Sequence, residues 1–251
     1  MPEPVKAAQA LLDKFQVRDA QDINLRLMAA DRRVLIQEKP ISNAEGRLVY
    51  RNGRGTIIVN SSIRSAEKTR FVIAHELGHV EMHRDADNVA ICDESALREY
   101  NEHNGRETQA NEFAGELLLP QELFLAACSG APPKIELLKY IATEFRASLE
   151  STAIRYVRIG QIPSALVYIQ GGFVRWFWPS NEFPYKYVEP GSRPPAKSKA
   201  AQCIKGKCEQ GVVTAKTWFG ETAKPDQYFH EAVHFAPSYD RVLSILWEYK
   251  I

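Results

Sequence analysis

The chain has 251 residues, 45% of them hydrophobic and 25% charged, and a formal net charge of +1. That is an ordinary folding composition, long enough to bury a core without staples, and it excludes a disordered tail, a collagen-like repeat and a coiled coil. A net charge so close to zero argues against bulk electrostatic binding of nucleic acid or anionic lipid.

In chain order, Ala7, Ala8, Leu11, Leu12 and Phe15 recur at helical spacing. Asp19 is placed to cap a second helix through Ile23 and Leu27. Short β-type runs follow at Val34-Leu35-Ile36, Leu48-Val49-Tyr50 and Thr56-Ile57-Ile58-Val59. Helical patterns then cover about 66–84 and 107–119, the second stopped by Pro120. Two more span about 135–145 and 149–159, with Gly160 closing the last. Beyond them the pattern turns to strands. Ala165–Ile169 and Phe173–Trp178 flank Gly171-Gly172, a hairpin signal. A Pro/Ser/Lys-rich loop at Pro190–Lys199 and a β-type run at Val242–Trp247 complete the tail.

Composition shifts near residue 160. Residues 1–160 carry 9 aromatics and a net charge of −2, whereas 161–251 carry 16, all four tryptophans among them, and a net charge of +3. The expected organisation is α+β, with a mixed domain at 1–160 and a smaller β-rich domain at 161–251. No run approaches the roughly 18 consecutive apolar residues of a membrane span. The first thirty residues lack the apolar core of a signal peptide. Four cysteines (Cys92, Cys128, Cys203, Cys208) make no disulfide framework. A cytoplasmic protein with no membrane partner is the expectation.

The chemistry lies in Phe71-Val72-Ile73-Ala74-His75-Glu76-Leu77-Gly78-His79-Val80. On a helix, His75 and His79 share one face about 6 Å apart along the axis, so both imidazoles can grip one Zn²⁺. Glu76 sits beside the first ligand, where it can serve as general base toward water. Two surface histidines matching by chance would not be preceded by four apolar residues, and buried histidines need partners. A catalytic zinc takes a third protein ligand. His83 continues the series, but another 6 Å up a straight helix it cannot converge on the same ion, which assigns it to a supporting place or the rim. Asp85 would need a glycine to break the helix, where Met82 stands. Glu107 opens a second amphipathic helix whose core face is Ala110, Phe113, Ala114, Leu117 and Leu118. It is the strongest candidate, and Asn111, one turn on, can accept from the far N–H of a ligand imidazole. Glu112 and Glu116 read as a solvent stripe.

His75-Glu76-Leu77-Gly78-His79 with Glu107-x-x-Ala110-Asn111-x-Phe113-Ala114 and Leu117-Leu118-Leu119-Pro120 resembles the ImmA/IrrE zinc metallopeptidases. Arg70-Phe71 and Ser148…Arg155 fit the same pattern, and the resemblance covers roughly 5–160. It implies a gluzincin-like fold: a small twisted sheet, an active-site helix, and a second helix delivering the glutamate. It further implies cleavage of a helix-turn-helix repressor, which releases stress-response or mobile-element genes. The alternative is a zinc-binding pseudo-protease that sequesters a regulator uncut. An intact Glu76 weighs against that, because metal binding alone does not require it.

Three tail features are weighed and set aside. His230-Glu231-Ala232-Val233-His234 repeats the H-E-x-x-H pattern, but Pro225 and Pro237 bracket a segment too short for a well-packed motif helix. A short tail helix or a strand is expected there. Cys203 and Cys208 enclose Lys205-Gly206-Lys207, and free thiols are expected. Trp176, Phe177, Trp178, Phe183, Tyr185 and Tyr187 are expected to be core and cross-strand pairs, not a nucleic-acid platform.

Overall fold

The computed structural model describes residues 3–83, 90–92 and 105–249. The chain divides into two compact units: Met1–Phe124 with Ala142–Ser148, and Leu125–Ile141 with Leu149–Ile251. The fold class is α+β, as the sequence implies. No helix among the described residues is long and apolar enough to cross a membrane.

The first unit begins with α1 (Glu3–Lys14), which buries Ala8, Leu11 and Leu12. Asp19 caps only a 3₁₀ turn at Ala20–Asp22. The following helix α2 (Leu25–Asp31) has its own cap, Asn24, whose side chain accepts from the Leu27 N–H at 3.1 Å. The strands are β1 (Val34–Lys39), β2 (Gly46–Arg51), β3 (Arg54–Asn60) and β4 (Ala90–Cys92), in spatial order β1-β3-β2-β4. Asn52 and Gly53, both at positive φ, form the tight β2–β3 turn.

β3 pairs with β1 on one side and β2 on the other, so Ile57 lies opposite both Ile36 and Leu48. By its sequence, Thr56–Val59 is a candidate edge strand for pairing with an extended substrate, but the sheet places it in the interior. Its β-branched residues explain this, since Ile57 and Val59 are fully buried.

Helix α3 (Ala66–Met82) starts at Ser65, which accepts from the Lys68 N–H at 3.1 Å. Every residue from Val72 to Val80 is buried. Helix α4 (Gly105–Leu118) packs against α3 and α1, around a core that includes Leu11, Met28, Ile57, Val72, Leu77 and Phe113. Gly78 sets how close α3 and α4 come: a Cβ there would lie 3.1 Å from the Phe113 ring and 3.2 Å from the Ala110 Cα. Helices α5 (Gln121–Cys128) and α6 (Ile135–Phe145) are divided between the two units, and α7 (Leu149–Ile159) belongs to the second.

In the second unit, β5 (Ser164–Gln170), β6 (Phe173–Pro179), β7 (Gly211–Thr214), β8 (Tyr228–Ala236) and β9 (Arg241–Glu248) form an antiparallel sheet in the order β6-β5-β9-β8-β7. Gly171 and Gly172, both at positive φ, turn the β5–β6 hairpin. Short helices α8 (Lys199–Ile204) and α9 (Ala215–Phe219) complete the unit. Most of these aromatics pack as core and cross-strand pairs, whereas Tyr187 is exposed. Tyr168 stacks on Trp176 at 4.8 Å, and Phe177, Phe183 and Tyr185 close on Phe219.

Cys203 and Cys208 are disulfide-bonded, not free. The chain leaves α8 at Ile204 and doubles back through Gly206, whose φ of +88° admits no ordinary side chain without strain.

The second H-E-x-x-H lies on β8. A strand rises about 3.3 Å per residue, which sets His230 and His234 about 13 Å apart, beyond the span of a single ion. The pleat sends Glu231 to the opposite face. There it is fully buried and accepts from the Lys199 and Ala200 N–H groups, the Trp218 indole and the Ser244 hydroxyl at 2.8–3.1 Å. Burial raises its pKa; the four hydrogen bonds oppose that shift without cancelling it. The stability Glu231 contributes is thus full below the ordinary glutamate pKa and declines as pH rises through the raised value. Glu231→Ala strands four buried donors and should cost at least about 1–3 kcal/mol. In denaturant melts, the gap between wild type and this variant should narrow as pH rises; a gap that widens would contradict the assignment.

Candidate metal centre

Helix α3 turns His75 and His79 inward one turn apart, with their Nε2 atoms 3.1 Å from each other. Glu107, in the first turn of α4, closes the third side. Its Oε2 is 3.0 Å from His75 Nε2, and its Oε1 is 3.4 Å from His79 Nε2. The ligand atoms of all three residues lie within 4.8 Å of one another. His75 and Glu76 are fully buried and His79 nearly so.

The outer hydrogen bonds orient both rings. Asn111 Oδ1, one turn past Glu107, is 2.9 Å from His75 Nδ1 and accepts its proton. His79 Nδ1 is 3.0 Å from His83 Nδ1, and His83 Nε2 is 2.9 Å from Gln109 Oε1. An amide oxygen only accepts, so His83 donates from Nε2 and presents a bare Nδ1 to the His79 N–H. Burial lowers the His83 pKa, which favours the neutral ring that this chain needs. Both histidines therefore aim Nε2 at the Glu107 carboxylate. A space walled by a carboxylate and two such nitrogens calls for a cation. Burial alone would raise the Glu107 pKa, but the imidazoles of His75 and His79 beside it outweigh that. The carboxyl is held well below its usual range, ready to act as an anionic ligand.

Glu76 lies against β2. A Cβ on Gly46 would fall 2.6 Å from Glu76 Oε1 and 2.6 Å from Val72 Cγ1. Only glycine lets the carboxylate lie there. Gly46→Ala should cost about 1–3 kcal/mol through overpacking. Gly115, whose added Cβ meets nothing within 4 Å, serves as the tolerant control in the same melts. Equal melts for Gly46→Ala and wild type would remove Gly46 from the site.

Of the residues that sequence reasoning names, His75, His79 and Glu107 bring their donor atoms within 4.8 Å of one another, and Glu76 is buried next to His75 on α3. Asp85 lies outside the described residues. Glu116 is not on a solvent stripe: it is buried, and its carboxylate accepts the Gln121 N–H at 3.1 Å. Gln109 and Gly46 were missed. Their roles depend on how α4 and β2 lie against α3, which spacing along one segment does not encode.

Residues 29–156 match the peptidase M78 model, described as the IrrE N-terminal-like domain. A Bacillus phage phi105 protein, "uncharacterized immunity region protein 2", is 44% identical over 64 residues. That match takes in 26% of this chain and spans only 37% of the phage protein. A Mycobacterium tuberculosis transcriptional regulator of known structure shares the fold. Its TM-score is 0.66 at 15% identity, over 99% of this chain and 77% of the other. With more than half of its length matched and a His75–His79–Glu107 group that could hold a metal ion inside the matched region, the chain belongs to the IrrE N-terminal-like M78 peptidase family, the ImmA/IrrE group.

Proposed function

We propose that the chain is a zinc-dependent endopeptidase that cleaves a helix-turn-helix repressor. His75, His79 and Glu107 would be its metal ligands, and residues 1–160 its catalytic domain. Residues 161–251 would serve as an accessory, sensor-like domain. The convergence of two Nε2 atoms and one depressed carboxylate at one buried point carries the reading. The family match and the phage immunity-region relative support it. The donor set fits zinc: two imidazoles and one carboxylate are the ligands of many zinc hydrolases.

When bound, zinc supplies a Lewis acid that polarises the scissile carbonyl and makes water easier to deprotonate. Glu76 takes the proton from the attacking water and returns it to the leaving amine. Asn111 and His83 keep the two ligand imidazoles in the tautomer that faces inward. Gly46 keeps the Glu76 carboxylate against β2.

The test is incubation of the zinc-loaded protein with helix-turn-helix repressors encoded beside its gene, with and without chelator, followed by intact-mass analysis. Two fragments whose masses sum to the repressor plus one water, absent with chelator, are the expected result. Uncut repressor throughout, despite stable binding, would replace the peptidase with a sequestering protein.

A further inference from the structure

The first unit holds a second site, on the opposite face of α3 from the metal ligands. A cavity of about 510 Å³ is lined by Arg26, Arg64, Arg70 and Arg146, with Glu38 as the sole carboxylate among its lining residues. On a helix of 3.6 residues per turn, Arg70 and Ile73 project well away from His75 and His79. The volume is that of a small-molecule site.

The charge in this cavity is not balanced from within. Glu38 is taken by Arg26, at 3.4 Å. Arg146 donates only to the backbone carbonyls of Ala20, Gln21 and Ile23 at 3.3–3.4 Å. Arg64 stands exposed at the rim. Arg70 is the telling residue: its Nε and one Nη are shut off from solvent and have no hydrogen-bond partner. Those two nitrogens are out of reach of a ligand, but the guanidinium borders the cavity with no acceptor of its own, and the rest of it can take one from an anion held there. Burial, and then the repulsion of Arg146, pull the Arg70 pKa down to about 10, so the fold as it stands works against its charge. The cation persists at neutral pH all the same.

We propose that this cavity binds a small molecule through a phosphate monoester head, held by Arg70 and Arg146 with Arg64 closing the rim. A monoester concentrates nearly two negative charges and three acceptor oxygens in one group, whereas a single carboxylate matches one fork. The site stands independently of the peptidase reading, because none of its residues belongs to the metal cluster.

Thermal melts and titration calorimetry with inorganic phosphate test it, against succinate and chloride at matched ionic strength. Phosphate should raise the melting temperature progressively with the logarithm of its concentration, beyond either control. Arg70→Gln should melt higher than wild type without ligand, since a buried unpartnered charge is gone. It should also bind phosphate on the order of 10- to 100-fold more weakly, the range for a charged hydrogen bond. Arg64→Gln, at the exposed rim, leaves the fold alone and should weaken binding several-fold; it decides the matter if Arg70→Gln does not fold. Equal stabilisation by chloride, or a phosphate response unchanged in both variants, would overturn the site. Equal or tighter binding of succinate would overturn the phosphate assignment.

Discussion

Glu76→Gln is expected to keep its zinc and its fold while cleaving the repressor on the order of 10²–10⁴-fold more slowly, the range of general acid–base assistance. The side chain touches no ligand atom of the His75–His79–Glu107 set in the proposed arrangement. Glutamine is nearly isosteric, so it fits the same buried place against Gly46. What it cannot do is accept a proton from water and hand it to the leaving amine. Recognition should survive, because it rests on the walls of the site and not on this carboxylate. The variant should therefore pull the repressor down uncut. A sequestering protein predicts otherwise: wild type and Glu76→Gln would behave alike in every assay, and neither would shorten the partner. That outcome, with zinc-loaded protein and the correct partner, would sink the peptidase reading and leave the fold untouched.

The centre was legible in the sequence because its geometry is largely local. Residues four apart on a helix share a face whatever surrounds them, so His75 and His79 could be paired from spacing alone. Glu107 and Asn111 were legible for the same reason, one turn apart at the start of an amphipathic helix. What spacing does not carry is the register between elements. Thr56–Val59 reads equally well as an edge or an interior strand, and only the pairing of Ile57 with both Ile36 and Leu48 decides it. The tail H-E-x-x-H has the same letters as the motif on α3 but lies on β8, where a period of two sends Glu231 away from both histidines. Glu116 looked like one more surface acid. It is buried because the chain turns at Pro120 and brings the Gln121 N–H back to it. The Cys203–Cys208 bond likewise follows from a turn through Gly206 that composition does not announce.

The ligand assignment makes the sharpest demand on Glu107. Its two oxygens face His75 Nε2 and His79 Nε2, and it is the only charged member of the set. Glu107→Gln removes that charge and turns an amide N–H₂ toward nitrogens that should be acceptors. Zinc affinity, measured by competition with a chelator of known strength, should fall by at least about 100-fold, beyond the 10- to 100-fold typical of groups that only orient a ligand. Asn111→Ala and His83→Ala lose only an orienting hydrogen bond and should stay within that smaller range. Glu112→Gln, one helical position past Asn111, should bind zinc as wild type does. Circular dichroism on the same samples separates loss of metal from loss of fold. If Glu107→Gln holds zinc normally while Glu112→Gln releases it, the third ligand belongs to another turn of α4. The Asn111–His75 hydrogen bond would then have to be read as packing and not as metal chemistry.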